Sequence, residues 1–214
     1  MLVTAGRLRN PLLICGILAS LLYVGTDTLA GMLYAGYNFT DQAISELLAI
    51  NSPTSGFVVP LFTLYDSLLV AFALGVWLSA SRNRVLRIMA GLMVGNAAMG
   101  LMLWNIFPMH MRGVEATLTD TMHIILAGVG VIFILLAVVS GSFAFGKRFR
   151  FYSIGTILMF CAPSILVFLL SLSFPQFSEK TVVIPPLTGV SERISTYVYL
   201  LWQVVLAIVL LRAE

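Results

Sequence analysis

Six long apolar stretches, at roughly 11–33, 57–80, 88–107, 120–145, 151–174 and 193–212, leave this chain few ways to fold. A helix rises 1.5 Å per residue, so about 20 residues cross a hydrocarbon core about 30 Å thick. Each stretch is long enough to do so. With 60% hydrophobic and only 10% charged residues, and a mean hydropathy of +1.02, the composition lies outside the soluble globular range. The expected fold is all-α: one polytopic membrane domain over residues 1–214, with six transmembrane helices. The first stretch follows Arg7 and Arg9 like a signal peptide, but it is too long for that and has no small-residue cleavage site, so it is read as helix 1. Cys15 and Cys161 both fall within spans and support neither a disulfide framework nor a thiolate metal site.

Charge sets the expected orientation, because short loops rich in Lys and Arg stay in the cytoplasm. Arg7, Arg9, then Arg82, Arg84 and Arg87, then Lys147, Arg148 and Arg150, and Arg212 mark one side. Arg112, Lys180 and Arg193 fall on the other. Both termini are therefore expected to be cytoplasmic, in a multi-pass protein of the cell membrane. The net charge of +3 is a topology signal and calls for no nucleic acid; membrane lipid is the expected partner.

Most acids then gather outside, and with them the candidate chemistry. Asp27 falls in the outer third of helix 1 and Asp66 near the midplane of helix 2, depths at which ionisable groups are costly and face the bundle interior or a wet cavity. Asn96 and Gln203 reach similar depth, and with Asp66 they form a candidate midplane polar layer, through interhelical hydrogen bonding or as an ion path. His110, His123 and Asp120 belong to one outer hairpin; a divalent ion such as zinc is the cofactor such imidazole and carboxylate groups would hold. The competing reading is that Asp120 caps helix 4 and the histidines are interfacial.

Between helices 1 and 2, "DQAISELLAINSPTSG" places Ala43, Ile44, Leu47, Leu48 and Ile50 on one arc at helical period. Asp41, Gln42, Ser45, Glu46 and Ala49 fill the other. Asn38 can cap this segment and Pro53 stops it, which predicts a short interfacial amphipathic helix. If its polar arc turns inward, Ser45 and Glu46 border the same vestibule as Asp27 and the histidines. In helix 3, Gly91 and Gly95 form a small-residue seam for close helix packing. The proline-bearing stretch from Phe174 to Ser191 is long enough for a lid or partner surface.

"ISELLAINSP" after helix 1, "FP" followed by a histidine after helix 3, and "GVSERISTYVYLLWQVVLAIVL" in helix 6 resemble the domain-of-unknown-function family 998, six-helix membrane proteins of bacteria and archaea. Ser45, Glu46, Pro53, Pro108, His110, His123 and Arg193 are the positions that carry the likeness. It implies a fold and a topology and no activity. A looser likeness in chemistry is to intramembrane metal-dependent hydrolases of the alkaline ceramidase and adiponectin receptor kind, from which two histidines and six spans depart.

Three functions compete. In a metal-dependent hydrolase acting on a lipid or lipid-linked substrate, His110, His123 and Asp120 hold the metal, which activates a water, Glu46 or Asp27 accepts a proton, and Ser45 orients the substrate. A small-molecule or ion transporter would couple through Asp27 and Asp66, although residues 1–107 and 108–214 show no clear inverted repeat. A non-catalytic subunit or receptor would use the outer loops and the interfacial helix to bind a partner or a lipid-like ligand.

Overall fold

The structure, a computed structural model, describes residues 2–172 and 185–213. Among the described residues six α-helices carry the chain: α1 (Leu2–Leu33), α2 (Ser55–Ser79), α3 (Arg84–Asn105), α4 (Leu118–Ala144), α5 (Lys147–Leu172) and α6 (Thr188–Arg212). Each is long and apolar enough to cross a membrane. Most of the lid or partner loop expected from Phe174 onward, with Lys180, lies outside the described residues.

Local chemistry sets the helix ends. Asn83 caps α3, its side-chain oxygen accepting the Val85 and Leu86 amides at 3.0 and 3.4 Å. Asp120 closes a capping box at the start of α4 by accepting the Thr117 amide at 2.8 Å and the Thr117 hydroxyl at 2.9 Å.

The helices pack in chain order, α1 on α2 through α5 on α6, and α6 returns to pack on α1. Both ends of the described chain therefore meet, and the Arg9 guanidinium donates to the Leu210 and Ala213 carbonyls and to Ser79 Oγ. Toward this terminal end the interior is filled. Trp202 is fully buried, its indole N–H donates to Ser153 Oγ at 3.0 Å, and its ring lies where a side chain at Gly141 of α4 would stand. The expected seam in α3 is shifted. Gly91 has open space beside it, whereas Gly95 packs on the Phe133 ring and Gly100 on the Asp66 carboxylate.

The opposite end is built differently. The segment expected to form an interfacial amphipathic helix does contain a short helix, but it is a five-residue 3-10 turn, η1 (Ile44–Leu48), packed against α1, α2 and α6. Ile44, Glu46, Leu47 and Leu48 are all buried. Its N-terminal amide at Ala43 is satisfied by Glu46 Oε1 at 2.8 Å. Asn38, the expected cap, instead bonds within its own turn to Asp41 Oδ2 and the Thr40 amide, both at 2.9 Å. Beyond η1, the Ile50 amide bonds the Met109 carbonyl at 2.8 Å, tying this loop to the α3–α4 connection.

Candidate functional site

Two buried acids hold η1 in place and are consumed in doing so. Asp27, fully buried on α1, takes a two-pronged pair from Arg193 of α6 at 3.0 and 2.8 Å, and the Tyr197 hydroxyl donates to the same carboxylate. The rest of the Arg193 fork donates to the Phe39, Gln42 and Gly189 carbonyls at 2.9, 3.0 and 3.1 Å and to Tyr37 Oη at 2.7 Å. Its plane lies 4.8 Å from the centre of the Phe39 ring. Burial pushes the Tyr37 hydroxyl above its ordinary range, so it stays protonated in this contact.

Glu46 is the second such acid. It pairs with Arg112 at 2.6 and 2.7 Å, while Arg112 also donates to the Asp41 carbonyl at 3.0 Å. The hydrogen bond to Glu46 raises the Arg112 guanidinium above its already high range. Asp27 and Glu46, expected as proton acceptors at a reaction centre, are thus each committed to an arginine.

His110 and Asp120 do meet. Asp120 Oδ1 accepts the His110 amide at 2.7 Å, and its Oδ2 lies 2.9 Å from His110 Nδ1. Asp120 therefore caps α4 and holds the hairpin at once. His123 Nδ1 lies 2.8 Å from the Phe107 carbonyl, an acceptor, so that nitrogen carries the proton and Nε2 is left with a lone pair. Among the described residues, no three His, Cys, Asp or Glu side chains converge as a metal ion would require.

Beneath η1 opens a cavity of about 920 Å³ to which all six helices contribute, α1 through Tyr23. Its walls are mostly apolar, among them Leu103, Ile124, Val131, Ile134, Phe160 and Ile165. Ser45, Asp120, His123 and Glu192 line it toward η1, and Asp66, Asn96 and Tyr199 line it deeper in the bundle. Glu192 Oε2 accepts the Ile44 amide at 2.7 Å. Asp66, about 1% exposed, accepts the Trp104 indole N–H on Oδ2 at 2.7 Å, and among the described residues none donates to its Oδ1. Tyr199 Oη is buried without a hydrogen bond of ordinary geometry, although Asn96 is a polar neighbour.

The expected midplane layer is therefore divided. Asp66 and Asn96 share the cavity, whereas Gln203 donates to the Gly16 carbonyl at 2.9 Å and to Ser20 Oγ at 3.1 Å in the α1–α6 seam. Glu192 and Tyr199 were not among the expected site residues. Glu192 reads in the sequence as a first-turn helix acid, and nothing marks Tyr199 in an apolar run.

Neither the curated proteins nor the solved structures contain a match to this chain. A family model does match, over residues 17–209, which takes in α2 to α5 whole, the greater part of α1 and of α6, the η1 segment and every residue named at the cavity. The chain belongs to DUF998, a family of proteins of unknown function.

Proposed function

We propose that this protein binds an amphiphilic, lipid-like molecule in the cavity beneath η1. The observation that carries the reading is the combination of about 920 Å³ of largely apolar space with polar atoms to which the described residues offer no hydrogen bond: Tyr199 Oη, and beside it Asp66 Oδ1 and His123 Nε2. Pockets for small organic ligands have this make-up, apolar walls with a few placed polar atoms, and volumes of about 300–1,000 Å³. An empty apolar cavity of this size forgoes dispersion contacts along its whole lining, and an occupant restores them.

In this reading the protein is a single six-helix domain of the cell membrane, with both termini cytoplasmic and the cavity mouth toward the outer side. The charge asymmetry supports that orientation. Arg82, Arg84, Arg87, Lys147, Arg148 and Arg150 flank the α2–α3 and α4–α5 turns. At the opposite end, Arg112 and Arg193 are each neutralised by a buried acid, so they weigh little against it.

Binding is favoured over metal-assisted hydrolysis by the donor set. The proton acceptors expected for hydrolysis, Asp27 and Glu46, are occupied by arginines outside the cavity lining.

The test is to purify the protein in a mild detergent, extract it with organic solvent and identify bound molecules by mass spectrometry. Wild type is compared with Ala127→Phe, which places a ring in the cavity from α4. The expected result is one enriched amphiphile class on wild type, reduced at least tenfold on a folded Ala127→Phe protein. Equal lipid on both proteins would refute the reading.

A further inference from the structure

Three acids and one histidine, His123, line the cavity. Asp66, Asp120 and Glu192 line it, and no Lys or Arg does among the described residues. Both arginines at this end of the bundle are turned to Asp27 and Glu46, so the three cavity acids receive no compensation from them through direct pairing. Asp120 has His110 and the Thr117 cap, and Glu192 has the Ile44 amide. Asp66 has a single indole N–H and an oxygen left over.

Asp66 also sits on a prepared wall. Gly100 of α3 lies against its carboxylate, in contact so close that a methyl group there would overlap both oxygens. Trp104, one turn further along α3, holds Oδ2. The carboxylate is thereby fixed, with Tyr199 Oη as a second buried polar atom in the same lining and no hydrogen bond of its own. A buried carboxylate is costly to keep unless a cation or hydrogen-bond donors compensate it. A cationic donor would complete the hydrogen bonding of Oδ1 and match the acidic lining.

We infer that the cavity selects a cationic amphiphile, a protonated amine carried on an apolar chain, with the ammonium seated on Asp66 beside Trp104 and Tyr199. The inference rests on the ligand-binding reading above and adds the chemistry of the head group. The ammonium donates to Asp66 Oδ1 and to Tyr199 Oη, while the Trp104 indole N–H keeps Oδ2. The chain fills the space between Ile134, Phe160 and Ile165. An anionic amphiphile of the same length would bring its charge into a lining that holds three acids and, among the described residues, no Lys or Arg.

The experiment uses the full chain in nanodiscs of phosphatidylcholine, with protein-free nanodiscs as the partition control. Four probes are titrated: dodecylamine, dodecanol, dodecanoate and propylamine, with binding read by isothermal calorimetry. On wild type, dodecylamine is expected to bind at least tenfold more tightly than dodecanol, dodecanoate weakest of the three, and propylamine not measurably. Asp66→Asn, which preserves shape, is expected to bring dodecylamine to within about threefold of dodecanol while leaving dodecanol unchanged.

Dodecanol or dodecanoate equalling dodecylamine on wild type overturns the amine inference and leaves cavity binding standing. Propylamine binding as well as dodecylamine overturns the apolar half of the inference. None of the twelve-carbon probes binding above the empty-nanodisc control defeats the underlying binding reading. The wild-type comparison decides the matter even if Asp66→Asn fails to fold.

Discussion

Asp27 and Arg193, 166 positions apart, form the buried ion pair that fastens α6 to α1 and to the loop over the cavity. The pair is expected to behave as one unit. Removing one partner leaves a buried charge without compensation, at a cost of about 3–5 kcal/mol. Asp27→Asn and Arg193→Met should each lower the thermal midpoint in detergent sharply, and the double variant should lose much less than the sum of the two. Additive losses would show that the two side chains act independently.

Gly189 opens the way for that clamp. A methyl group there would collide with the Gln42 carbonyl and stand 2.6 Å from the Phe39 carbonyl, the two oxygens that Arg193 holds. Gly189→Ala is expected to destabilise by at least about 2 kcal/mol, within the range for overpacking a tight contact. Gly155, with open space beside it in α5, provides the contrast: Gly155→Ala should be neutral or stabilising by up to about 1 kcal/mol through helix propensity. Equal effects at the two glycines in a thermal melt would contradict the close approach at Gly189.

These contacts mark where sequence reasoning reached its limit. The six helices were legible because crossing a membrane demands long uninterrupted apolar runs, which the chain displays. Asp27 and Asp66 are both buried in the bundle, as ionisable groups within long apolar runs are expected to be. What periodicity does not encode is the partner of a buried charge. Asp27 depends on an arginine in the last helix, and Glu46 on one 66 positions away. Of the arc read as apolar, Ala43, Ile44, Leu47 and Leu48 are buried and Ile50 only half-buried. Ala49 and Glu46 of the other arc are buried as well, Glu46 where Arg112 meets it, which makes a core element of what reads as a surface helix. Glu192 escaped notice for the same reason: its role at the cavity comes from the Ile44 amide on another segment.

Arg112 fastens the other side of the loop. Solvent reaches its guanidinium, with the side chain 37% exposed, so its loss is expected to cost less than that of Arg193, about 1–2 kcal/mol. Arg112→Ala should speed hydrogen exchange at the amides of Ala43 and Ile44 with little change in α3, and Glu46→Gln in the same chain should restore part of the protection by removing the stranded charge. The raised guanidinium of Arg112 fixes the sign of any pH effect from that side. Its contribution is present below the ordinary arginine range and lost only as pH rises through the still higher folded value, so protection of these amides should not fall between pH 7 and about 10 on its account. Unchanged exchange in Arg112→Ala would refute this anchoring role.

His123 offers a direct spectroscopic check on the cavity wall. Its Nδ1 faces a carbonyl that can only accept, so the ring is expected to hold its proton on Nδ1 and to present Nε2 as a bare acceptor. The ring lies 6.4 Å from Trp104, centre to centre, which brings it into the aromatic lining that leads down to Asp66. Nitrogen NMR of ¹⁵N-histidine-labelled protein at pH 8, with His123→Asn assigning the signal, should show a protonated Nδ1 and an unprotonated Nε2. Adding dodecylamine should perturb the Nε2 signal more than the Nδ1 signal, because only Nε2 lacks a protein partner. A ring protonated on Nε2 alone would mean that the Phe107 carbonyl does not hold it, and the orientation of this wall of the cavity would have to be redrawn.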